Sequence, residues 1–158
     1  MREEGSSDNL ARAIYGTILS TALVVAYSED PGSDPLQVAV AVLAASLVFW
    51  IAHAYADLLA SEAISDRAFT HLREELGREW PLVLGSIPPL LPLLLAPLGI
   101  LSDDHAETVA IVTGIAVLGG WGVAIPLRHG EGAMSIVLGA LTSLIFGLTV
   151  VALKALVH

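Results

Sequence analysis

Residues 36–59 read LQVAVAVLAASLVFWIAHAYADLL, a stretch that carries no charge before Asp57. An α-helix rises about 1.5 Å per residue, so a run of this length crosses the roughly 30 Å hydrocarbon core of a bilayer. Similar apolar blocks lie at about 10–27, 80–101, 104–127 and 133–157, and the second block extends over about 36–61. The sequence therefore predicts an all-α fold, a polytopic membrane bundle of about five transmembrane helices in a single transmembrane domain, 1–158.

Composition supports a lipid bilayer as the surroundings of this chain. Hydrophobic residues make up 55% of 158 positions, and the mean hydropathy is +0.76. The 7 basic and 16 acidic residues argue against nucleic acid as a partner, because nucleic acid is bound through clustered Lys and Arg. With no cysteine, disulfides and thiolate metal sites are excluded. No G-x-S-x-G, H-E-x-x-H or phosphate-binding glycine loop is present, so we expect no enzyme activity and no resident cofactor.

The third apolar block differs from the others because a polar segment precedes it and prolines interrupt it. Residues 66–79 predict a short cytoplasmic helix, and Trp80 and Pro81 open the block itself. Proline lacks a backbone N–H, so prolines inside a helix remove hydrogen bonds and bend or break it. The prolines of this block are Pro88, Pro89, Pro92 and Pro97. We therefore expect a kinked third helix.

The arginines predict the orientation in the membrane. Loops 28–35 and 102–107 contain no Lys or Arg, whereas the arginines all fall on the other side of the predicted helices. They are Arg2, Arg12, Arg67, Arg73, Arg78 and Arg128. Basic residues accumulate on the cytoplasmic side of membrane proteins. This pattern predicts a multi-pass protein of the cell (inner) membrane with a cytoplasmic N-terminus and an extracytoplasmic C-terminus.

A polar stripe runs along the second predicted helix. Ser46, Trp50, His53 and Asp57 recur at spacings of four, three and four residues, which places them on one face. Polar residues in or near hydrocarbon usually face a bundle interior, where a histidine and a carboxylate can relay protons or bind a cation. The alternative is that these are ordinary interfacial residues without a transport function, because Asp57 and His53 lie close to the predicted cytoplasmic interface. A same-helix pair also supplies only half of the ligands of a cation.

A second candidate for metal binding lies in the polar segment. His71, Glu74 and Glu75 are spaced i, i+3 and i+4, which suits a divalent ion. Glu74 and Arg78 are equally well placed for an i,i+4 ion pair on a solvated helix. The sequence leaves both interpretations open.

Small residues recur every four positions on two predicted helices. The second helix carries Ala52, Ala56 and Ala60, and the fifth carries Ser135, Gly139, Ser143 and Gly147. Such faces let helices approach closely in membranes. The sequence leaves open whether they meet inside one subunit or between two.

The run Gly85-Ser86-Ile87-Pro88-Pro89-Leu90-Leu91-Pro92 resembles the Gly-x-x-Ile-Pro-Leu-Leu-Pro segment of the vacuolar iron transporter family. The resemblance implies a dimer of five-helix subunits whose first two helices line a path for metal and protons. By position, it implies pathway residues at His53, Asp57 and Glu62. It also implies a cytoplasmic metal site at His71, Glu74 and Glu75. The family's Asp-containing motif in the first helix has no counterpart here.

Together these observations predict a proton-linked transporter or conduit for a small cation, with a divalent metal ion as one possible substrate, acting as a homodimer. In this hypothesis Ser46, Trp50, His53 and Asp57 line the path, and tentative metal ligands are His53, Asp57, Glu62, His71, Glu74 and Glu75. The alternative is a non-transporting membrane module that binds a partner through its small-residue helix faces.

Overall fold

The computed structural model describes residues 2–28, 34–60 and 68–157, and these form five α-helices. The helices are α1 (Arg2–Tyr27), α2 (Pro35–Ala60), α3 (Ala68–Leu95), α4 (Asp103–Arg128) and α5 (Ala133–Val157). The predicted all-α bundle is therefore confirmed. Helix α1 begins before the apolar block predicted from about residue 10, because the polar residues before this block continue the same helix.

Three helices of the described chain are long and apolar enough to cross a membrane. The qualifying stretches are Ser7–Tyr27, Pro35–Ala60 and His105–Arg128. In α5 the apolar stretch found by the same criterion, Ala133–Thr149, is shorter. Membrane crossing by α3 and α5 thus stays a prediction, while the multi-span character of the chain has the support of three helices.

Helix α3 corrects one sequence prediction. The separate helix expected at 66–79 and the block expected at 80–101 are one helix from Ala68 to Leu95, which contains Pro81, Pro88, Pro89 and Pro92. Residues 66 and 67 lie outside the described ranges. The helix ends before a turn in which Gly99 has a positive φ of 69°, a conformation that suits glycine.

A contact with α1 helps to explain how α3 continues through its prolines. In a helix, a carbonyl oxygen accepts a hydrogen bond from the N–H three or four residues later. For Gly85 both of these positions are prolines, Pro88 and Pro89, which have no N–H to donate. The buried Thr17 of α1 has two carbonyl oxygens near its Oγ1, that of Gly85 at 2.8 Å and that of Ala13 in its own helix at 3.0 Å. Its single hydrogen is donated to the nearer oxygen, that of Gly85. The threonine hydroxyl thus replaces a missing backbone donor.

Two glycines let α1 and α3 come this close. A methyl group at Gly16 would lie 2.0 Å from the carbonyl oxygen of Leu82, and one at Gly85 would lie 2.0 Å from that of Ala13. Both distances are far inside van der Waals contact. Arg12 lies against Glu79, Gly16 against Leu82 and Thr17 against Gly85. Since the residue numbers of these pairs increase together, α1 and α3 run parallel.

The remaining helices extend this pair into a bundle. Helix α2 packs on α3, and α5 packs mainly on α4. A cluster of buried apolar side chains joins the first four helices and includes Val24, Val42, Leu90, Leu93 and Ala110. The α4–α5 contact uses a second pair of glycines: a methyl group at Gly139 would lie 2.1 Å from the carbonyl oxygen of Gly122.

Candidate functional site

The inner half of the predicted polar stripe faces the interior of the bundle. Ser46 is fully buried, and its Oγ donates to the Val42 carbonyl of its own helix at 2.8 Å. Trp50 is half-buried, and its Nε1 donates to the Leu76 carbonyl of α3 at 2.9 Å. Its ring meets Trp80 edge-on, with centroids 5.3 Å apart. Both side chains therefore contribute to packing between α2 and α3.

The outer half of the stripe lies at the end of the bundle that carries the N-terminus. His53 is half-buried, and its ring centroid lies 5.4 Å from that of Tyr15 in α1. His53 Nδ1 is 2.9 Å from the Phe49 carbonyl oxygen. A carbonyl only accepts, so this geometry assigns the hydrogen to Nδ1 and leaves Nε2 as the acceptor of the neutral ring. Asp57, one turn further, is exposed.

A buried ion pair between α1 and α3 is the feature that sequence reasoning missed. Arg12 Nε lies 2.5 Å from Glu79 Oε1, and the Glu79 side chain is 3% exposed while that of Arg12 is 24% exposed. Removing a carboxylate from water is costly, and a paired arginine offsets part of that cost. One signal was available: Glu79 directly precedes Trp80 and Pro81, where the apolar block begins.

These contacts bring a set of polar and aromatic side chains to one end of the three-helix unit α1–α3. The set consists of Arg12, Tyr15, Trp50, His53, Glu79 and Trp80, and we call it the α1–α3 polar cluster. It combines a buried carboxylate, a guanidinium and an imidazole. The carboxylate and the imidazole can bind a cation or exchange protons, and the guanidinium balances the charge of the carboxylate.

The residues proposed for the second metal site are arranged differently. His71 Nδ1 lies 3.8 Å from Glu74 Oε2, and both side chains are largely exposed. Arg78 donates to Glu75 at 2.9 Å rather than pairing with Glu74. Within the described residues, no three His, Asp or Glu side chains group closely enough to hold a metal ion.

Glu62 lies outside the described residues. Metal binding by His53, Asp57, Glu62, His71, Glu74 or Glu75 therefore stays a prediction, and the described geometry adds no complete ligand set to it.

The two small-residue faces differ in whether another helix covers them. On α5, Gly139 and Ser143 lie against Gly122 of α4, so this face is used inside the chain. The alanine face of α2, formed by Ala52, Ala56 and Ala60, is exposed.

No protein family, curated protein or solved structure matches this chain.

Proposed function

We propose that this protein is a five-helix membrane protein that acts as a proton-linked transporter or conduit for a small cation. The path begins at Asp57, passes His53 and reaches Glu79 between α1, α2 and α3. The observation that carries the proposal is the Glu79 carboxylate, which is almost completely buried and paired with Arg12. Ionisable groups inside membrane bundles are expensive and most often mark ion or proton pathways.

Glu79 supplies the exchange step in this proposal. A cation that reaches Glu79 competes with Arg12 for the carboxylate, and a proton on Glu79 removes its negative charge and so weakens its attraction to Arg12. In either case Arg12 is released from α3. Since the pair joins two helices that pack closely, its opening and closing links occupancy of the site to the contact between α1 and α3.

Asp57 and His53 provide the approach to Glu79. Asp57 is exposed and attracts cations from water. The His53 ring contacts Tyr15 of α1 at a tilted angle of 53°, and α1 also carries Arg12. Histidine exchanges protons near physiological pH, so this position suits proton transfer between water and the buried carboxylate.

The test is a flux assay with purified protein in proteoliposomes that contain a pH-sensitive dye. Fe²⁺, Mn²⁺, Zn²⁺, K⁺ and Na⁺ are added in turn. The resemblance of residues 85–92 to vacuolar iron transporters makes Fe²⁺ and Mn²⁺ the first ions to try. We expect one cation to drive proton movement, and we expect Glu79→Gln and His53→Ala to abolish it.

The matched control is Glu131→Gln. Glu131 is an exposed carboxylate in the turn between α4 and α5, so its loss should leave flux unchanged. Circular dichroism and size-exclusion chromatography establish that each variant is folded. Wild-type flux in folded Glu79→Gln protein would show that the buried pair is a structural clamp and that the proposed path is wrong.

The exposed alanine face of α2 favours a second candidate, a non-transporting module that binds a partner helix. Small residues at four-residue spacing permit close helix contact in a bilayer, and those of α2 remain uncovered in the single chain. A homodimer through this face would fit both candidates. Cross-linking at Ala56→Cys, compared with Ala116→Cys on the exposed side of α4, distinguishes a specific contact from random collision.

A further inference from the structure

Two adjoining cavities form a groove along α1, α4 and α5, away from the α1–α3 polar cluster. The inner cavity has a volume of about 300 Å³ and the outer one about 450 Å³, and Ile14 and Ile125 line both. The inner cavity is mainly apolar, with walls that include Ile18, Leu118 and Phe146. Thr142 is also in its wall, but its hydroxyl donates to the Leu138 carbonyl of its own helix. The inner part of the groove therefore suits hydrocarbon.

The groove has the depth of one membrane leaflet. It extends along α4 from His129 at its mouth to Leu118 at its inner end. Eleven residues of helix at about 1.5 Å each span about 16 Å. Half of the roughly 30 Å hydrocarbon core is about 15 Å. One acyl chain entering from the mouth would thus reach the middle of the bilayer within the groove.

The mouth carries positive charge. Ser7, Leu10, Ala11, Arg128 and His129 surround it together with the two shared isoleucines, and no carboxylate lines it among the described residues. Arg128 is exposed and forms no ion pair within that part of the chain. A guanidinium binds phosphate oxygens through paired N–H donors.

The geometry points to a binding site for an anionic phospholipid, with one acyl chain in the groove of α1, α4 and α5 and the phosphate at Arg128 and His129. The lipid comes from the leaflet on the side of Arg128. This site is independent of the proposed cation path, which lies between α1, α2 and α3.

The test is native mass spectrometry of the full chain in detergent with defined lipids. Phosphatidylglycerol is compared with phosphatidylcholine of the same acyl chains, and inorganic phosphate is the third ligand. We expect one phosphatidylglycerol per chain to be retained, about fivefold more often than phosphatidylcholine, which is the contribution of about one basic side chain near an anionic surface. Excess inorganic phosphate should not displace it.

Two pairs of variants separate the headgroup from the chain. Arg128→Gln should remove the preference for phosphatidylglycerol, whereas Arg73→Gln, an exposed arginine of α3, should not. Thr142→Phe fills the inner cavity and should reduce binding of both lipids, whereas Leu141→Phe, its exposed neighbour outside the cavity wall, should not.

A fluorescence measurement on protein that keeps Thr142 does not depend on whether Thr142→Phe folds. Trp121 lines the inner cavity, so phosphatidylglycerol brominated in the middle of its chain should quench fluorescence that Trp121→Phe lacks. Equal retention of the two lipids, unaltered by Arg128→Gln, would overturn the headgroup assignment. Displacement by phosphate, or unquenched Trp121, would overturn the chain assignment. A lipid-free dimer as the main species would show that a second copy covers the groove instead.

Discussion

Replacing Thr17 by valine should destabilise the protein in a way that depends on Pro89. Valine keeps the shape of threonine but removes the hydroxyl that donates to the Gly85 carbonyl. Thr17 is 1% exposed, so water cannot easily take its place. Leaving a buried carbonyl without a donor costs about 1–3 kcal/mol, while hydroxyl bonds between membrane helices average about 0.6 and reach about 1.7 kcal/mol. We expect a loss of about 1–2 kcal/mol in the free energy of unfolding.

The dependence on Pro89 gives this prediction its specificity. Pro89→Ala restores a backbone N–H four residues beyond Gly85, which can bond to the same carbonyl. In that background, Thr17→Val should cost about 1 kcal/mol less than in the wild type, because the carbonyl is no longer left without a donor. The two substitutions form a double-mutant cycle whose coupling measures the replacement of a backbone donor by a side chain.

The measurement is unfolding by dodecyl sulfate in mixed micelles, followed by circular dichroism. Thr142→Val is the matched control, since that hydroxyl is exposed and bonds only within α5; its loss should change stability by less than about 0.5 kcal/mol. If Thr17→Val lowers the free energy of unfolding by the same amount with proline and with alanine at position 89, the hydroxyl does not replace a missing backbone donor.

Two further substitutions test the contacts of α3 by the same unfolding measurement. Gly85→Ala places a methyl group 2.0 Å from the Ala13 carbonyl oxygen and should cost about 3 kcal/mol, whereas Gly77→Ala meets open space and should stabilise the helix by up to about 1 kcal/mol. If both alanines have the same effect, α1 and α3 are not in close contact. Trp50→Phe removes the donor to the Leu76 carbonyl and should cost about 1 kcal/mol; an unchanged unfolding midpoint would show that this bond adds nothing to stability.

Local composition was enough to predict most of the helices. The second block was predicted over 36–61 and the helix is Pro35–Ala60, while the fifth was predicted over 133–157 and the helix has those bounds. In these segments long apolar runs end at polar turns, so the information lies within the segment itself. The proline-rich α3 is different, because a donor 68 residues away at Thr17 satisfies one of the carbonyls its prolines leave without a partner.

The candidate site was predictable only in part for the same reason. The stripe on α2 follows from helical spacing, and the structure places Trp50 and His53 against neighbouring helices. The pairing of Arg12 with Glu79 depends on the register between α1 and α3, which no local pattern contains. In the sequence alone, Glu79 is one more acidic residue of a polar segment, and only its contact with Arg12 of α1 distinguishes it.

The separation of Arg12 and Glu79 in the chain also bears on biosynthesis. They lie 67 residues apart, and a ribosome that adds about 5–20 residues per second needs about 3–13 s to make that length. During this interval α1 has left the ribosome while its arginine and its hydroxyl-bearing face still await α3. Helix α1 therefore completes its contacts only after α3 has been made, so the first helix to be synthesised spends several seconds without its main partner.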